Sequence, residues 1–146
     1  MKLLLDGDGC PVVDLAVSLA KQYCIECLIL CDTSHEIERE GAKTVVISKG
    51  PDCVDYALVN RVCPGDLVVT QDYGLAAMCL ARRAVVLNQD GILYDDSNLD
   101  SLLMARHTAQ KIRRAGGRLK GPAKRTAQQD TDFCRALDAL LSCAQS

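Results

Sequence analysis

The sequence predicts an α/β protein, a three-layer α/β/α sandwich in which helices cover both faces of a mostly parallel sheet of about five strands. Short apolar runs alternate with segments of helical periodicity, and this alternation is typical of parallel β-α units. Several runs are continuously apolar, as strands buried on both faces are. The 146 residues are enough for one domain with its own core, and no apolar run approaches the roughly 20 residues of a membrane span.

The predicted elements are bounded by local signals. Pro11 suits the first position of a helix. Ser97 with Asp100, and Thr126 with Gln129, resemble capping boxes at two further helix starts. The predicted strands are residues 2–5, 25–31, 44–48, 66–70 and 84–87, with a short extra strand at 92–94. The predicted helices are residues 11–23, 52–62, 75–82, 97–115 and 126–143.

Acidic or amide side chains follow three of the predicted strands. Asp6 and Asp8 come after the first strand, Asp72 after the fourth, and Asn88 with Asp90 after the fifth. The carboxyl ends of parallel strands share one edge of the sheet, where α/β proteins bind ligands. Neighbouring carboxylates repel each other, and oxygen ligands gathered at one edge suit Mg²⁺ or Mn²⁺. The pattern therefore predicts a site for either cation, with phosphoryl chemistry.

The second predicted helix adds two acids. Asp52 and Asp55 lie three residues apart in its first turn and share one face. For Asp52 the favoured interpretation is a first-turn carboxylate that the helix dipole stabilises. Asp55 adds to the oxygen ligands expected at the edge of the sheet.

Charge is divided unevenly along the chain. Residues 1–100 carry 8 Lys or Arg and 16 Asp or Glu, whereas residues 101–146 carry 9 and 3. A Gly- and Lys/Arg-rich loop at 116–125 precedes the last helix. The basic segment from Arg106 to Arg125 either contacts the phosphates of RNA or is a solvated helix face followed by a loop. The candidate phosphate-contacting residues are Arg106, Arg113, Arg114, Arg118, Lys120, Lys124 and Arg125.

Cysteine usage indicates the compartment. The chain has nine cysteines, and most lie within apolar runs. Free cysteine at such positions behaves as a small hydrophobic residue, and an odd count argues against a disulfide framework. We therefore expect a cytoplasmic protein with reduced thiols and no membrane segment. The sequence leaves open whether the protein forms a homo-oligomer.

Sequence motifs are spread along the whole chain. They are DGDGCP at 6–11, PGDLVVTQDYGLA at 64–76, VLN at 86–88 with Gly91, Asn98 with Arg106, and GP at 121–122 followed by Asp130 and Phe133. With these motifs the sequence resembles the YaiI/YqxD family of uncharacterised bacterial proteins over nearly its full length. The resemblance implies a single domain over residues 1–146 similar to the PIN-like nucleases, which hold Mg²⁺ or Mn²⁺ and hydrolyse RNA.

The resemblance also implies roles for individual residues. In PIN-like nucleases one acid follows the first strand, one lies on a following helix and one follows a Thr-x-Asp turn. Asn88 stands where that group has a fourth acid. The resemblance carries metal binding over to Asp6, Asp55 and Asp72, and Asp8 would compensate for the missing fourth acid. The resulting hypothesis assigns metal binding to Asp6, Asp8, Asp55 and Asp72, catalysis to Asp6, Asp8 and Asp72, and support to Thr70 and Asn88.

Two alternatives remain. A strand followed by Asp-x-Asp also resembles the haloacid-dehalogenase phosphatases, in which Asp6 would be the nucleophile. Ser48 and the Asp95-Asp96 pair would match later motifs of that family, although Cys10 stands where those enzymes have Thr or Val. The second alternative is a non-catalytic domain that binds RNA or protein.

Overall fold

The structure is a computed structural model that describes residues 1–8, 10–34, 36–50, 52–101, 104, 116 and 124–144. Residues 96–101 are helical. The strands in the described residues are β1 (Lys2–Asp6), β2 (Glu26–Asp32), β3 (Lys43–Ile47), β4 (Leu67–Val69) and β5 (Val85–Leu87). The helices with defined bounds are α1 (Val13–Gln22), α2 (Cys53–Arg61), α3 (Tyr73–Ala81) and α4 (Ala127–Ala144).

The five strands form one sheet in the order β3-β2-β1-β4-β5, and every pair of neighbours is parallel. The predicted parallel α/β sheet is therefore confirmed. The short strand expected at 92–94 is reduced to a single antiparallel bridge between Leu87 and Leu93. β1 lies at the centre of the sheet, so its residues are covered on both faces.

Two apolar cores lie on opposite faces of this sheet. Leu3 and Leu5 of β1 pack with residues of α1 and with Phe133 of α4. Leu4 points the other way and packs with Leu58 of α2 and with residues of α3. This alternation follows from the two-residue period of a strand. Helices on both faces give the three layers that the sequence predicts, and burial of each Leu stabilises the fold by roughly 2 kcal/mol.

The starts of α1 and α3 differ from the predicted ones by two residues. α1 starts at Val13, because Pro11 lies in the turn before the helix. α3 starts at Tyr73 instead of residue 75. The cause is Asp72, whose Oδ1 accepts a hydrogen bond from the amide of Leu75 at 3.1 Å and caps the helix.

The capping box before residues 96–101 is also not the predicted one. The amide of Asp95 donates to Asn98 Oδ1 at 2.8 Å, and the amide of Asn98 donates to Asp95 Oδ1 at 2.7 Å. This reciprocal pair replaces the expected pair of Ser97 and Asp100. The helix consequently begins before Ser97, which is its second residue.

The capping box at the start of α4 is confirmed. The amide of Thr126 donates to Gln129 Oε1 at 2.8 Å, and the amide of Gln129 donates to Thr126 Oγ1 at 3.3 Å. Most of the predicted helix at 97–115 and of the basic loop at 116–125 lies outside the described residues. No helix in the described part of the chain is both long and apolar enough to cross a membrane.

Candidate functional site

A cavity of about 520 Å³ opens at the carboxyl ends of β1 and β4. The chain runs from β1 outward to β2 and β3, and then crosses β1 to reach β4 and β5. Open α/β sheets bind ligands at this kind of reversal, and the volume is typical of small-ligand sites. We call it the acidic cavity. Its lining residues are Asp6, Asp8, Asp32, Gly50, Asp52, Val54, Asp55, Gln71, Asp72 and Tyr73.

Asp6 lies at the inner end of the acidic cavity. It ends the apolar run of β1, and only 7% of its surface is exposed. Its Oδ2 accepts a hydrogen bond from Thr70 Oγ1 at 2.8 Å. Burial raises the pKa of the Asp6 carboxyl, whereas hydrogen bonds from the Thr70 hydroxyl and from the amide of Asp8 lower it. The charges of Asp8 and Asp72 raise the pKa further. Asp6 is therefore a buried acid with other acids beside it.

Gly7 sets the spacing of Asp6 and Asp8. Its amide donates to the carbonyl oxygen of Leu30 in β2 at 2.8 Å. A Cβ on this residue would lie 2.8 Å from the same oxygen, closer than Cβ atoms approach carbonyl oxygens in proteins. Any other residue would push the strands apart, so Gly7 holds buried Asp6 and exposed Asp8 at the edge of the sheet.

Thr70 connects the ends of β1 and β4. It is 2% exposed, and its Oγ1 both donates to Asp6 and accepts from the amide of Asp72 at 3.0 Å. Asp72 in turn caps α3 through its Oδ1. The Thr70 hydroxyl therefore holds the carboxylate of Asp6 beside the backbone of Asp72, which is a positioning role.

α2 places Asp55 in the same electrostatic environment. Burial raises the pKa of the Asp55 carboxyl to about 6, and the charge of Asp72 acts in the same direction. The charges of Asp6, Asp52 and Asp8 add smaller contributions of the same sign. The neighbouring carboxylates thus disfavour the charged form of Asp55, and a cation in the acidic cavity would relieve this repulsion.

The donor set fits a hard cation in its chemistry but is not arranged around one point. Carboxylate oxygens are the ligands that Mg²⁺ and Mn²⁺ prefer. In the part of the chain that the structure describes, however, no three His, Cys, Asp or Glu side chains are placed so that they hold a metal ion. Binding of a cation would therefore require the carboxylates to turn toward one another.

The structure brings the four predicted metal ligands together and leaves one supporting residue apart. Asp6, Asp8, Asp55 and Asp72 all line the acidic cavity. Asn88 does not line it. The side-chain oxygen of Asn88 instead accepts hydrogen bonds from the amides of residues 90 and 92, both at 2.9 Å, and so closes the turn after β5.

Two lining acids were not among the predicted ligands. Asp32 ends β2, next to β1, and its Oδ1 accepts a hydrogen bond from the amide of Ser34 at 2.8 Å. Asp52, interpreted from the sequence as a first-turn carboxylate, precedes α2 and also lines the acidic cavity. The rule that found Asp6, an acid at the carboxyl end of a buried strand, also points to Asp32.

The predicted phosphate-contacting residues are described only at 124 and 125. Lys124 is exposed. Arg125 donates to Asp90 Oδ1 at 2.9 Å, to Asp130 Oδ1 at 2.7 Å and to the carbonyl oxygen of Gln89 at 2.6 Å. Its guanidinium thus joins the turn after β5 to α4, and a phosphate contact would require these bonds to break. The other five predicted phosphate-contacting residues lie outside the described part of the chain. They are Arg106, Arg113, Arg114, Arg118 and Lys120.

The residues that would match the later motifs of a phosphatase lie elsewhere. Ser48 follows the edge strand β3 and does not line the acidic cavity. Asp95 and Asp96 do not line it either, and Asp95 is part of the capping box before residues 96–101. Asp8, which would be the general acid of a phosphatase, does line the acidic cavity with Asp6, whereas the residues that would match the later motifs lie outside it.

Comparison with known proteins gives one family. The model of a family described as "Uncharacterized BCR, YaiI/YqxD family" matches residues 4–143. The chain is 52% identical over 142 residues to a UPF0178 protein of Exiguobacterium sibiricum, with 97% of each chain covered. It is 48% identical to one of Ruminiclostridium cellulolyticum, covering 94% of this chain and 90% of the relative. A third, from Clostridium acetobutylicum, is 43% identical with 97% of each chain covered. No solved structure matches.

Proposed function

The chain belongs to the YaiI/YqxD family, and from the geometry of the acidic cavity we propose that it is a Mg²⁺- or Mn²⁺-dependent hydrolase of RNA phosphodiesters. One observation carries the proposal. Four acids from three separate segments line one cavity at the switch point of the sheet, where burial and mutual repulsion raise the pKa values of Asp6 and Asp55. Perturbed acids gathered in a cleft are typical of catalytic sites.

The side chains of the acidic cavity have different roles in such a site. When bound, a divalent cation supplies charge neutralisation and a more acidic bound water. Thr70 holds Asp6 in place through its hydroxyl. Asp55, whose pKa burial and the neighbouring acids raise to about 6, is suited to ligating the cation, which would neutralise those charges. Asp8 lines the same cavity and is exposed, so its carboxylate is accessible to a cation from solvent.

The cysteines support a cytoplasmic location as part of the same proposal. All nine lie in the described residues, and none forms a disulfide. Burial raises the pKa values of the Cys27 and Cys79 thiols to about 12, so these two are unreactive at neutral pH. Reduced thiols of this kind persist in a reducing compartment.

The test is cleavage of single-stranded RNA by the purified protein with Mn²⁺, with Mg²⁺ and with a chelator. We expect cleavage with either cation and none with the chelator. Asp55→Asn removes one carboxylate without changing side-chain size, and we expect it to slow cleavage about 100-fold or more. The matched control is Asp14→Asn on α1, which lies outside the acidic cavity and should cleave at the wild-type rate.

Cation binding is measured separately by calorimetry. We expect Mn²⁺ to bind wild type and Asp14→Asn equally and Asp55→Asn more weakly. Absence of both cleavage and cation binding would disprove the proposal. Cation-independent RNA binding without cleavage would indicate a binding domain, and hydrolysis of a simple phosphomonoester through a covalent phosphate on Asp6 would indicate the phosphatase.

A further inference from the structure

One aromatic ring forms part of the wall of the acidic cavity. Tyr73 is the first residue of α3 and directly follows Asp72. It lines the cavity together with the acids, and its side chain is partly exposed. Among the lining residues that the structure describes, the only other apolar side chain is that of Val54. Tyr73 therefore places a flat apolar surface next to a group of carboxylates.

The ring of Tyr73 packs against a second, buried aromatic ring. It packs edge-to-face against Tyr94, with the ring centroids 6.1 Å apart and the ring planes inclined by 67°. Tyr94 is 4% exposed, and its hydroxyl donates to the carbonyl oxygen of Thr70 at 3.3 Å. Its amide donates to the carbonyl oxygen of Val86 at 2.9 Å. Tyr94 is thus fixed to the ends of β4 and β5, and Tyr73 is fixed to Tyr94.

A ring fixed in this way is suited to stacking. Tyr73 loses little rotational freedom when a second ring packs on it, because Tyr94 already restricts its orientation. The carboxylates beside it are suited to a cation, and a cation attracts a phosphate. A single nucleotide unit carries both matching groups, a phosphate and a flat base, within a short distance. A phosphate ester without a ring would contact only the cation that the acids hold, and Tyr73 would make no contact with the ligand.

From this juxtaposition we propose that Tyr73 is a specificity-determining residue, and that the substrate is a single-stranded polynucleotide whose unpaired base stacks on its ring. The inference rests on the proposed function, because it assigns the substrate class of the same cavity. Stacking of a base on an aromatic side chain is tolerant of sequence. The site therefore selects unpaired strands and discriminates little among bases.

The test is a comparison of two single strands of equal length, oligoadenylate and the same backbone without bases. Binding is measured by fluorescence anisotropy with Ca²⁺, an oxygen-binding cation, so that binding is read apart from cleavage. We expect wild type to bind oligoadenylate about 5- to 150-fold more tightly, the range that one stacked base contributes. Tyr73→Leu should lose this preference and bind the strand without bases as wild type does.

Two variants serve as controls. Tyr73→Phe keeps the ring and should keep the preference. Tyr56→Leu removes an exposed tyrosine of α2 that does not line the acidic cavity, and it should behave as wild type. A misfolded Tyr73→Leu protein would lose affinity for both strands, whereas loss of stacking lowers affinity for oligoadenylate alone.

The outcomes separate this inference from the proposed reaction. The inference is wrong if wild type binds neither strand, shows no preference, or keeps its preference in Tyr73→Leu. If an equal concentration of adenosine monophosphate displaces oligoadenylate, Tyr73 binds free nucleotides, and the proposal of a polynucleotide substrate is wrong. If the protein prefers oligoadenylate but shows no cation-dependent cleavage, the proposed hydrolysis is wrong and the stacking role of Tyr73 is retained.

Discussion

Two buried aspartates at opposite ends of the sheet behave in opposite ways. Asp6 ends β1 at the acidic cavity, and Asp66 directly precedes β4 at the far end of the sheet. They are similarly buried, at 7% and 3% exposure. Burial alone would raise the pKa of Asp66, but hydrogen bonds from the Lys2 ammonium and from the amides of Cys63 and Lys2 outweigh it and lower the pKa. The pKa of Asp6 is raised.

The difference comes from the partners and not from burial. Asp66 Oδ2 lies 2.6 Å from Lys2 Nζ and also accepts from the amide of Cys63 at 2.8 Å, while its Oδ1 accepts from the amide of Lys2 at 3.1 Å. Asp6 accepts one hydrogen bond from the Thr70 hydroxyl and one from the amide of Asp8, has no cation as a partner among the described residues, and stands among acids. An acid with every partner present stabilises the fold, whereas one left among like charges is suited to binding a ligand.

Removal of Asp66 should give the largest effect on stability. Asp66→Ala leaves the Lys2 ammonium and two amides without their acceptor, so we expect the free energy of unfolding to fall by about 3 kcal/mol. Urea denaturation at neutral pH measures this. Asp14→Ala is the control, because its ion pair with Arg39 is exposed to solvent and should contribute less than about 1 kcal/mol.

Asp6→Asn completes the comparison. Asn keeps an oxygen for the Thr70 hydroxyl and removes a charge that Asp8 and Asp72 repel. We therefore expect its stability to equal or exceed that of wild type at neutral pH. A loss as large as that of Asp66→Ala would mean that Asp6 is a structural acid, and the contrast between the two ends of the sheet would not hold.

Thr70→Val should have an intermediate effect. It removes the donor to Asp6 and the acceptor for the amide of Asp72, and we expect a loss of about 2 kcal/mol at pH 8. The loss should be smaller at acidic pH, because protonation of Asp6 weakens the bond from Thr70 and the pKa of this carboxyl is raised by burial. Thr131→Val, at an exposed position of α4, should change stability by less than about 0.5 kcal/mol. Equal losses of stability at both pH values would show that the charge on Asp6 does not strengthen its hydrogen bond with Thr70.

The fold was predictable because its signals are local. Apolar runs such as Leu3 to Leu5 identify buried strands, and the turn residues between them separate the elements. Boundaries moved by one or two residues where a side chain decided them, as Asp72 does for α3. The wrong capping box at residues 96–101 has the same cause. Asp95 with Asn98 and Ser97 with Asp100 are equally good patterns, and only the path of the chain selects between them.

The candidate site was predictable only in part, because strand order is a long-range property. The sequence shows that acids follow strands, but not that β2 lies next to β1 and brings Asp32 to the acidic cavity. Asn88 also follows a strand, yet its side chain is used by its own turn. The role of Tyr73 depends on Tyr94, 21 residues later in the chain, and no local pattern joins the two rings.

The smallest predicted effect concerns the pH dependence of the acidic cavity. The pKa of Asp55 is raised from 3.8 to about 6, so the folded protein binds this proton more tightly than the unfolded chain. Its contribution to stability is therefore complete below about pH 4 and is lost as the pH rises through about 6. Asp55→Asn cannot ionise, so without metal it should match wild type near pH 4. At pH 8 it should exceed wild type by about 1 kcal/mol, a value reduced for solvent screening. Urea denaturation with a chelator measures both, and a constant difference across this range would show that Asp55 is not repelled by its neighbours.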